Sequence, residues 1–429
     1  MRAASLCIVL LPVLAVAGPL QLSLPRHRLQ ADELAVIVND ADPLSVKIGE
    51  YYVRARHVPA GNLLHVRLPT GRRSLGVAEF SRLRSDIVAG TPPNIQAYAI
   101  TWIAPFRVAC MSITSALTFG FDRAWCSASR CAPTRRSPYF GYSGSEPYRD
   151  LGIRPTISIA ADNFADARAL IDRGVAADGT RPEGTAYLVS TSDKARNVRS
   201  VYYPRIDEAM RGWIDTRVVR TNALRDRRDV LFYFTGRTRV EGLDTLEFRP
   251  GAIADHLTSA GGALTGSGQM SALRWLQAGA TGSFGTVVEP CNLLGKFPNP
   301  GIVIDSYTSG STLIEAYWKS VQQPGEGIFI GEPLAAPFDG LQVESKDGHM
   351  VLRTRTLPPG NYRVSWSAGP VGPYRVIPGV LEAHYHQREF LLPKPGDGYY
   401  RLSAIPAADY QLPHSPVARL RSREPRAAR

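Results

Sequence analysis

Leu34-Ala35-Val36-Ile37-Val38-Asn39-Asp40-Ala41-Asp42-Pro43 is the stretch that decides the fold class of this chain. Its leading apolar residues are typical of a strand buried on both faces, and the polar residues that follow indicate a loop. Apolar residues then recur at roughly helical spacing, at Val46, Ile48, Tyr51, Tyr52 and Ala55. The stretch therefore predicts a strand, a loop and a helix, the repeating unit of an α/β domain.

The same alternation continues downstream. Further short apolar strands are predicted at 63–68, 95–103, 156–160, 185–190, 230–234 and 282–288. Helices are predicted between them at 77–88, 164–177 and 206–213. Because strands that alternate with helices form crossover units, we expect a mostly parallel sheet flanked by helices, within an α/β domain that spans residues 31–338.

Three segments depart from this rhythm. Residues 106–150 contain three cysteines and several prolines, and an insertion of this length is either a functional loop or lid, or a surface segment stapled by a disulfide. From residue 341, short alternating strands between Gly- and Pro-rich turns predict a small β-sandwich-like domain at 341–408. Residues 409–429 carry five arginines in their last part against Glu424 alone, which predicts a basic flexible tail.

The amino end predicts export. Arg2 precedes an apolar run at 6–16, which ends in Ala15-Val16-Ala17, so residues 1–17 have the form of a secretory signal peptide. No later segment reaches the roughly 18 apolar residues of a membrane-spanning helix. We therefore expect a protein that is exported to the periplasm or the extracellular space and is not transmembrane.

Charge narrows the class of partner. The formal net charge of +12 favours an anionic surface or an envelope protein as partner. Nucleic acid is not expected, because the chain lacks an interleaved basic and aromatic motif. No cofactor is expected either, since Gly266-Ser267-Gly268 lacks the lysine of a phosphate-binding loop.

Four cysteines remain after the signal peptide, and an even number in an oxidising compartment favours disulfide pairing. Cys126 and Cys131 are close in sequence, so a local bridge between them is predicted. Their spacing does not match a C-x-x-C metal motif, and no metal site is expected. Cys110 and Cys291 form either a second bridge or two separate thiols.

Candidate chemistry concentrates after the predicted strand 282–288. Glu289 and Cys291 follow the carboxyl end of this strand, the edge at which parallel sheets bind ligands. Cys291 is a candidate nucleophile with His256 as its base. Glu289 with Asp305 or Glu315 is a candidate general acid–base pair.

Several segments resemble a family of exported bacterial proteins without an assigned activity. They are 158–199, 232–338 and the run Val38-Asn39-Asp40-Ala41-Asp42-Pro43 with Val58-Pro59-Ala60-Gly61-Asn62 after it. The resemblance covers about residues 33–338. More distantly, the order of elements is similar to that of caspase-fold cysteine peptidases such as the gingipains. Those enzymes place a histidine after one buried strand and a cysteine after the next.

This chain departs from the peptidases at both positions. Arg237 follows strand 230–234 where the resemblance implies the histidine, and the turn at 257–262 contains no cysteine. A guanidinium does not act as the base, so the peptidase dyad is missing. Residues 251–260 also fit a short helix that ends at glycine.

Two hypotheses from different classes follow. The first is an exported, non-peptidase protein with a caspase-like domain that acts in binding or assembly at the cell envelope. Its predicted binding residues are Arg237, Asp40 and Asp305. The second is a cysteine-dependent hydrolase with a site rebuilt around Cys291, Glu289 and His256.

Overall fold

The structure is a computed structural model that describes residues 20–129 and 131–406. The predicted signal peptide and the predicted basic tail lie outside the described residues. The described chain forms two compact units, one of residues 26–340 and one of residues 20–25 together with 341–406. Among the described residues, no helix is long and apolar enough to cross a bilayer.

Strands and helices are numbered in chain order. The strands are β1 (Gln21–Ser23), β2 (Leu34–Asn39), β3 (Leu63–Val66), β4 (Ser74–Leu75), β5 (Ala97–Ile100), β6 (Arg107–Val108), β7 (Met111–Ser112), β8 (Thr156–Ser158), β9 (Thr185–Ser190), β10 (Asp215–Arg220), β11 (Arg227–Gly236), β12 (Leu246–Leu257), β13 (Gly282–Thr286), β14 (Gly327–Gly331), β15 (Leu341–Lys346), β16 (His349–Thr354), β17 (Gly360–Ser367), β18 (Arg375–Val376), β19 (Leu381–Ala383), β20 (Glu389–Pro393) and β21 (Tyr399–Ala404). The α-helices are α1 (Pro43–Arg56), α2 (Val77–Gly90), α3 (Ile113–Phe119), α4 (Pro147–Leu151), α5 (Phe164–Ala177), α6 (Tyr203–Ala209), α7 (Leu273–Gln277), α8 (Pro300–Thr308) and α9 (Leu313–Ser320).

The larger unit is built on one mixed sheet of the order β10-β9-β11-β12-β13-β14-β8-β5-β2-β3. All neighbours pair in parallel except β13 and β14, which are antiparallel. The predicted α/β class is confirmed, and the prediction of a mostly parallel sheet holds within each half. The reversal of strand direction between β13 and β14 was not predicted from the sequence. Because of it, the carboxyl ends of the two sets of strands lie at opposite edges of the sheet.

Local signals at β2 and α1 explain why the first unit folds as predicted. All of β2 is buried, as expected for a strand inside a sheet covered on both faces. The Asp42 side chain accepts a hydrogen bond from the Leu44 amide at 3.0 Å, and Pro43 occupies the first turn of α1. A Cβ on Gly49 would lie 2.1 Å from the Val38 side chain, so this glycine permits the close approach of α1 to β2.

The inserted segment 106–150 is folded and docked on the larger unit. It contributes β6 and β7 to a small sheet with β4, and it contains α3 and α4. The Ser112 and Ser115 hydroxyls donate to the carbonyl oxygens of Gly327 and Pro324, each at 2.6 Å. Phe119 stacks on Trp125 with ring centroids 4.0 Å apart. These contacts favour a segment that is fixed to the domain over a mobile lid.

Residues 251–260, for which a short helix was one interpretation, contain the end of strand β12. That interpretation is wrong. β12 lies between β11 and β13, and residues 251–257 are all buried. β12 pairs with β11 from Ile253 to Leu257 and with β13 at Ile253, and this tertiary context outweighs the local turn signal of Pro250 and Gly251.

The second unit has a five-stranded sheet that contains β1, β17, β18, β19 and β21, and a three-stranded sheet of β15, β16 and β20. Apolar side chains from both sheets form one core, including Leu352, Val364, Phe390 and Tyr400. The arrangement is a small sandwich of two sheets. Residues 20–25, which the sequence analysis did not assign to this unit, supply β1, which pairs in parallel with β21.

Candidate functional site

The site is the edge of the large sheet where β9, β10, β11, β12 and β13 end. We call the residues that follow these strands the carboxyl edge: 190–199, 220–222, 236–239, 258–261 and 286–292. The strands are parallel, so their carboxyl ends meet at this one edge. Ligands of open parallel sheets bind at such edges.

The loop after β9 crosses the end of β11, and Gly236 makes the crossing possible. A Cβ at position 236 would lie 1.9 Å from the Arg196 carbonyl oxygen. Any residue other than glycine at this position would therefore push the loop away from β11. The Thr191 hydroxyl donates to the Gly236 carbonyl oxygen at 2.8 Å. The loop is thereby held over the positions after β11 and β12.

The residues that directly follow these two strands are Arg237 and Thr258. The Thr258 hydroxyl donates to Oε1 of Gln269 at 2.7 Å and accepts from Nε of Arg196 at 3.3 Å. Arg196 also pairs with Asp193 at 3.2 Å. This hydroxyl therefore lies in a hydrogen-bond network with an arginine and an amide, and neither of these groups acts as a general base.

A buried ion pair stabilises the carboxyl edge. The Arg199 guanidinium lies 2.6 Å from the Asp255 carboxylate, and both side chains are almost fully buried. Arg199 also donates to the Thr235 carbonyl oxygen at 2.7 Å. Burial raises the pKa of Asp255, and the charge of Arg199 offsets only part of that rise. The pair ties the loop after β9 to β11 and β12.

A pocket of about 340 Å³ opens at the ends of β9 and β10. It is lined by Ser190, Thr191, Ser192, Arg220, Thr221 and Asn222. The Ser192 amide and hydroxyl both donate to Oδ1 of Asn222, at 2.9 and 3.0 Å. These two bonds fix the orientation of the Asn222 side chain. Its amide nitrogen, Nδ2, is a hydrogen-bond donor. Arg220 is exposed beside it, and no carboxylate lines the pocket.

We call it the Ser190–Asn222 pocket. Its lining combines a guanidinium, an amide and hydroxyl groups, which are hydrogen-bond donors to an anion. A guanidinium binds carboxylates and phosphates in a planar, two-point geometry. The pocket therefore has the chemistry of a site for a small anionic group.

His256 does not provide the predicted base. Its ring is buried, and Nδ1 accepts a hydrogen bond from Nε1 of Trp275 at 2.9 Å. Nε2 then carries the proton and donates to the Met270 carbonyl oxygen at 3.2 Å. Burial lowers the pKa of His256 to about 3, and the bond to Met270 offsets only part of this effect. Both ring nitrogens are engaged in structural contacts.

The cysteines pair differently from the prediction. Cys110 is bridged to Cys126, and Cys131 is bridged to Cys291. The predicted Cys126–Cys131 bridge is wrong, because the fold brings Cys126 to Cys110, 16 positions away, and Cys131 to Cys291, 160 positions away. A sulfur in a disulfide has no thiolate to attack a substrate, so Cys291 is not the predicted nucleophile.

The remaining acid–base candidates have structural contacts. Glu289 is exposed, and its Oε1 accepts from the Cys291 amide at 2.8 Å, which shapes the turn. Cys291 and Asn292 both have positive φ in this turn. Glu315 is buried and accepts from the Thr312 hydroxyl at 2.7 Å at the start of α9. The predicted acid–base group does not assemble.

The three predicted binding residues do not form one site. Asp40 follows β2, whose carboxyl end lies at the opposite edge from that of β11, and it pairs with His65 at 2.7 Å. Asp305 lies on α8 and is only 8% exposed. Of the three, Arg237 alone lies at the carboxyl edge, where its Nε donates to the Arg239 carbonyl oxygen at 3.3 Å.

The residues of the Ser190–Asn222 pocket were not predicted from the sequence. The polar run after the predicted strand 185–190 was a visible signal, but β10 was not predicted. Without β10, nothing placed Arg220 and Asn222 beside Ser192. Within residues 20–129 and 131–406, no group of three histidine, cysteine or acidic residues is arranged to hold a metal ion.

Comparisons with known proteins do not assign the chain to a family. No protein-family model and no curated protein matches the chain. A solved structure titled "Structure of Protease" is similar with a TM-score of 0.35 and 9% sequence identity, covering 88% of this chain and 97% of that chain. This likeness is weak and concerns the fold alone, so it carries no conclusion about activity.

The buried His256 predicts a pH dependence of stability. Its pKa is about 3 in the folded chain and about 6.5 when unfolded, so the unfolded chain binds more protons between these values. The free energy of unfolding therefore falls as pH falls through this window, by about 1.4 kcal/mol for each pH unit below 6.5. At pH 5 the loss is about 2 kcal/mol. We expect the stability difference between the wild type and His256→Gln to shrink by this amount between pH 7.5 and pH 5 in urea unfolding. A difference independent of pH would contradict the assignment.

Proposed function

We propose that this protein is exported and acts in binding or assembly at the cell envelope, through a caspase-like α/β domain without peptidase activity. Its partner is a polypeptide that presents a carboxylate to the carboxyl edge. The observation that carries the proposal is that Arg237 follows β11 in place of the histidine that the resemblance implies, while the turn at 257–262 after β12 contains no cysteine.

The state of the sulfur and imidazole groups supports the absence of peptidase activity. All four cysteines that follow the predicted signal peptide are in disulfides. His256, the residue before the last of β12, is buried against Trp275. A cysteine peptidase needs a thiolate and an accessible imidazole base, and the described residues of the carboxyl edge supply neither. Export is supported by the disulfides, which persist in oxidising compartments, and by the signal-like sequence at 1–17.

Charge and hydrogen-bond donors support a carboxylate as the bound group. The carboxyl edge carries Lys194, Arg196, Arg220, Arg237 and Arg239. The acidic residues there are Asp193, which is already paired with Arg196, and Glu289, which accepts from the Cys291 amide. The Ser190–Asn222 pocket adds donors without a lining carboxylate. An acidic polypeptide is complementary to such a surface.

Two measurements on the chain from residue 18 test the proposal. With fluorogenic peptide substrates, we expect no hydrolysis, with or without a reducing agent. Hydrolysis that iodoacetamide abolishes would overturn the non-peptidase assignment.

The second measurement is the binding of a fluorescein-labelled oligoglutamate by fluorescence anisotropy. We expect binding that weakens with salt and falls about tenfold in Arg220→Gln, the effect of about 1.4 kcal/mol for one charge-assisted hydrogen bond. The control is Arg82→Gln, an exposed arginine of α2 in the other half of the sheet. If the protein binds phosphatidylglycerol vesicles but not oligoglutamate, its partner is a lipid surface and the proposed polypeptide partner is wrong. Equal affinities of the wild type and Arg220→Gln for oligoglutamate would remove the pocket from the proposal.

A further inference from the structure

β10 is the outermost strand of its half of the sheet, and it pairs with β9 alone among the described residues. The Thr221 amide donates to the Ser190 carbonyl oxygen at 3.0 Å, so position 221 points toward β9. Backbone groups of parallel strands alternate in direction from residue to residue. The amide and carbonyl groups of Thr216, Val218 and Arg220 therefore point away from the sheet, where an added strand would pair.

The side chains along β10 do not block an added strand. Val218 is 41% exposed, and a valine of this exposure offers apolar contact to a neighbouring strand. Asp215 lies at the start of β10, Arg217 in its middle and Arg220 at its end, and all three are exposed. The strand thus has a negative end and a positive end. A second chain in parallel orientation places its terminal carboxylate at the positive end.

The Ser190–Asn222 pocket lies at this positive end. An added strand lies about 4.8 Å from β10, and in the register that ends opposite Arg220 its last residue falls beside Arg220 and Asn222. All pairings among β9, β10, β11 and β12 are parallel, and a parallel neighbour continues that pattern. The chain itself contains a parallel addition of this kind, since β1 pairs with β21 along Gln21–Ser23.

We infer that the outer edge of β10 binds the carboxyl-terminal segment of a partner polypeptide by parallel strand addition, with the terminal carboxylate held at the Ser190–Asn222 pocket. Main-chain hydrogen bonds to Thr216, Val218 and Arg220 supply affinity, and the pocket selects a free chain end. The inference rests on the proposed function and specifies its partner as an extended chain terminus.

The experiment uses an array of peptides about seven residues long, enough to cover β10 and reach the pocket. Each sequence is present twice, once with a free carboxyl terminus and once amidated. The protein, from residue 18 onward, is applied as wild type, Val218→Pro, Val218→Thr, Arg220→Gln and Arg82→Gln. Val218→Pro removes an amide that points away from β9, so the pairing of β10 with β9 is retained. Unchanged thermal melting checks this.

We expect the wild type to retain a subset of the free-carboxylate peptides. Amidation, Val218→Pro and Arg220→Gln each weaken binding at least tenfold, whereas Val218→Thr, which keeps the amide, and Arg82→Gln do not. Retention that depends on Arg220 and the free carboxylate but not on Val218→Pro would overturn strand addition and leave the anion-binding function standing. Dependence on Val218→Pro without dependence on the carboxylate would overturn the assignment of the pocket.

Two other outcomes also overturn the inference. If no peptide is retained, the edge does not take up a chain terminus, and the oligoglutamate experiment separately decides whether the anion-binding function fails. If sedimentation shows self-association of the wild type that Val218→Pro abolishes, the occupant of the edge is a second copy of this chain.

Discussion

Replacing Glu332 by glutamine is expected to lower the free energy of unfolding by about 3–5 kcal/mol. Glu332 is completely buried directly after β14. Its carboxylate accepts from Nε of Arg56 at 2.9 Å and from the Tyr52 hydroxyl at 2.7 Å. A second ion pair joins Arg56 to Asp178, which follows α5. The network therefore connects α1, α5 and β14 inside the larger unit.

The cost arises because Arg56 stays charged. Burial alone would lower its pKa, but the charge of Glu332 raises the pKa overall. Glutamine keeps the shape of the side chain and removes the charge that compensates the guanidinium. A buried charge without its partner is much less stable than the same charge in water. Asp178 remains as a partner, which favours the lower end of the expected range.

The control is Glu241→Gln, which removes the same charge from an exposed pair. Glu241 lies 3.5 Å from Arg225, and both side chains are more than half exposed. Water screens such pairs, so the expected loss is at most about 1 kcal/mol. Urea unfolding followed by circular dichroism measures both variants. Losses of equal size would show that the Glu332 network does not stabilise the fold in the way described.

Removing the Cys131–Cys291 bridge is expected to be the second large effect. The paired variant Cys131→Ser, Cys291→Ser loses a crosslink between residues 160 positions apart in sequence. The matched variant Cys110→Ser, Cys126→Ser loses one between residues 16 positions apart. Because a crosslink restricts the unfolded chain more when it closes a longer loop, we expect losses of roughly 5 and about 3 kcal/mol.

The same urea unfolding, performed without reducing agent, compares the two paired variants with the wild type. The bridge to Cys291 also fixes the inserted segment to the turn after β13. Lys296 lies in that region, fully buried, and contacts Glu326 at 2.8 Å and the Ser127 hydroxyl at 2.6 Å. These contacts remain in the variant, so the fold itself is retained. If the short-loop variant is the less stable of the two, loop length does not set the effect.

Local signals made much of the fold predictable from the sequence. The predicted helix 164–177 and strand 185–190 have the boundaries of α5 and β9. The Asn163 side chain accepts from the Asp166 amide at 2.9 Å, so the start of α5 is encoded by adjacent residues. The strand after it is a short apolar run, which periodicity detects directly.

The elements that sequence reasoning missed depend on neighbours that are remote in the chain. β12 contains Pro250 and Gly251, which locally indicate a turn, and it is a strand because β11 and β13 lie on both sides of it. β10 is an edge strand with exposed charges, so it lacks the apolar pattern of a buried strand. β14 is short and bounded by glycines, and its antiparallel pairing with β13 has no local signal.

By itself, the sequence determined the alternation of strands and helices and the boundaries of α5 and β9. Both properties reside in neighbouring residues, through capping, periodicity and residue type. Only the tertiary structure decided the disulfide partners, the burial of His256 and the meeting of Ser192 with Arg220 and Asn222. Those features depend on strand order and direction, because contacts between remote segments arise from packing the whole sheet and not from the spacing of residues along the chain.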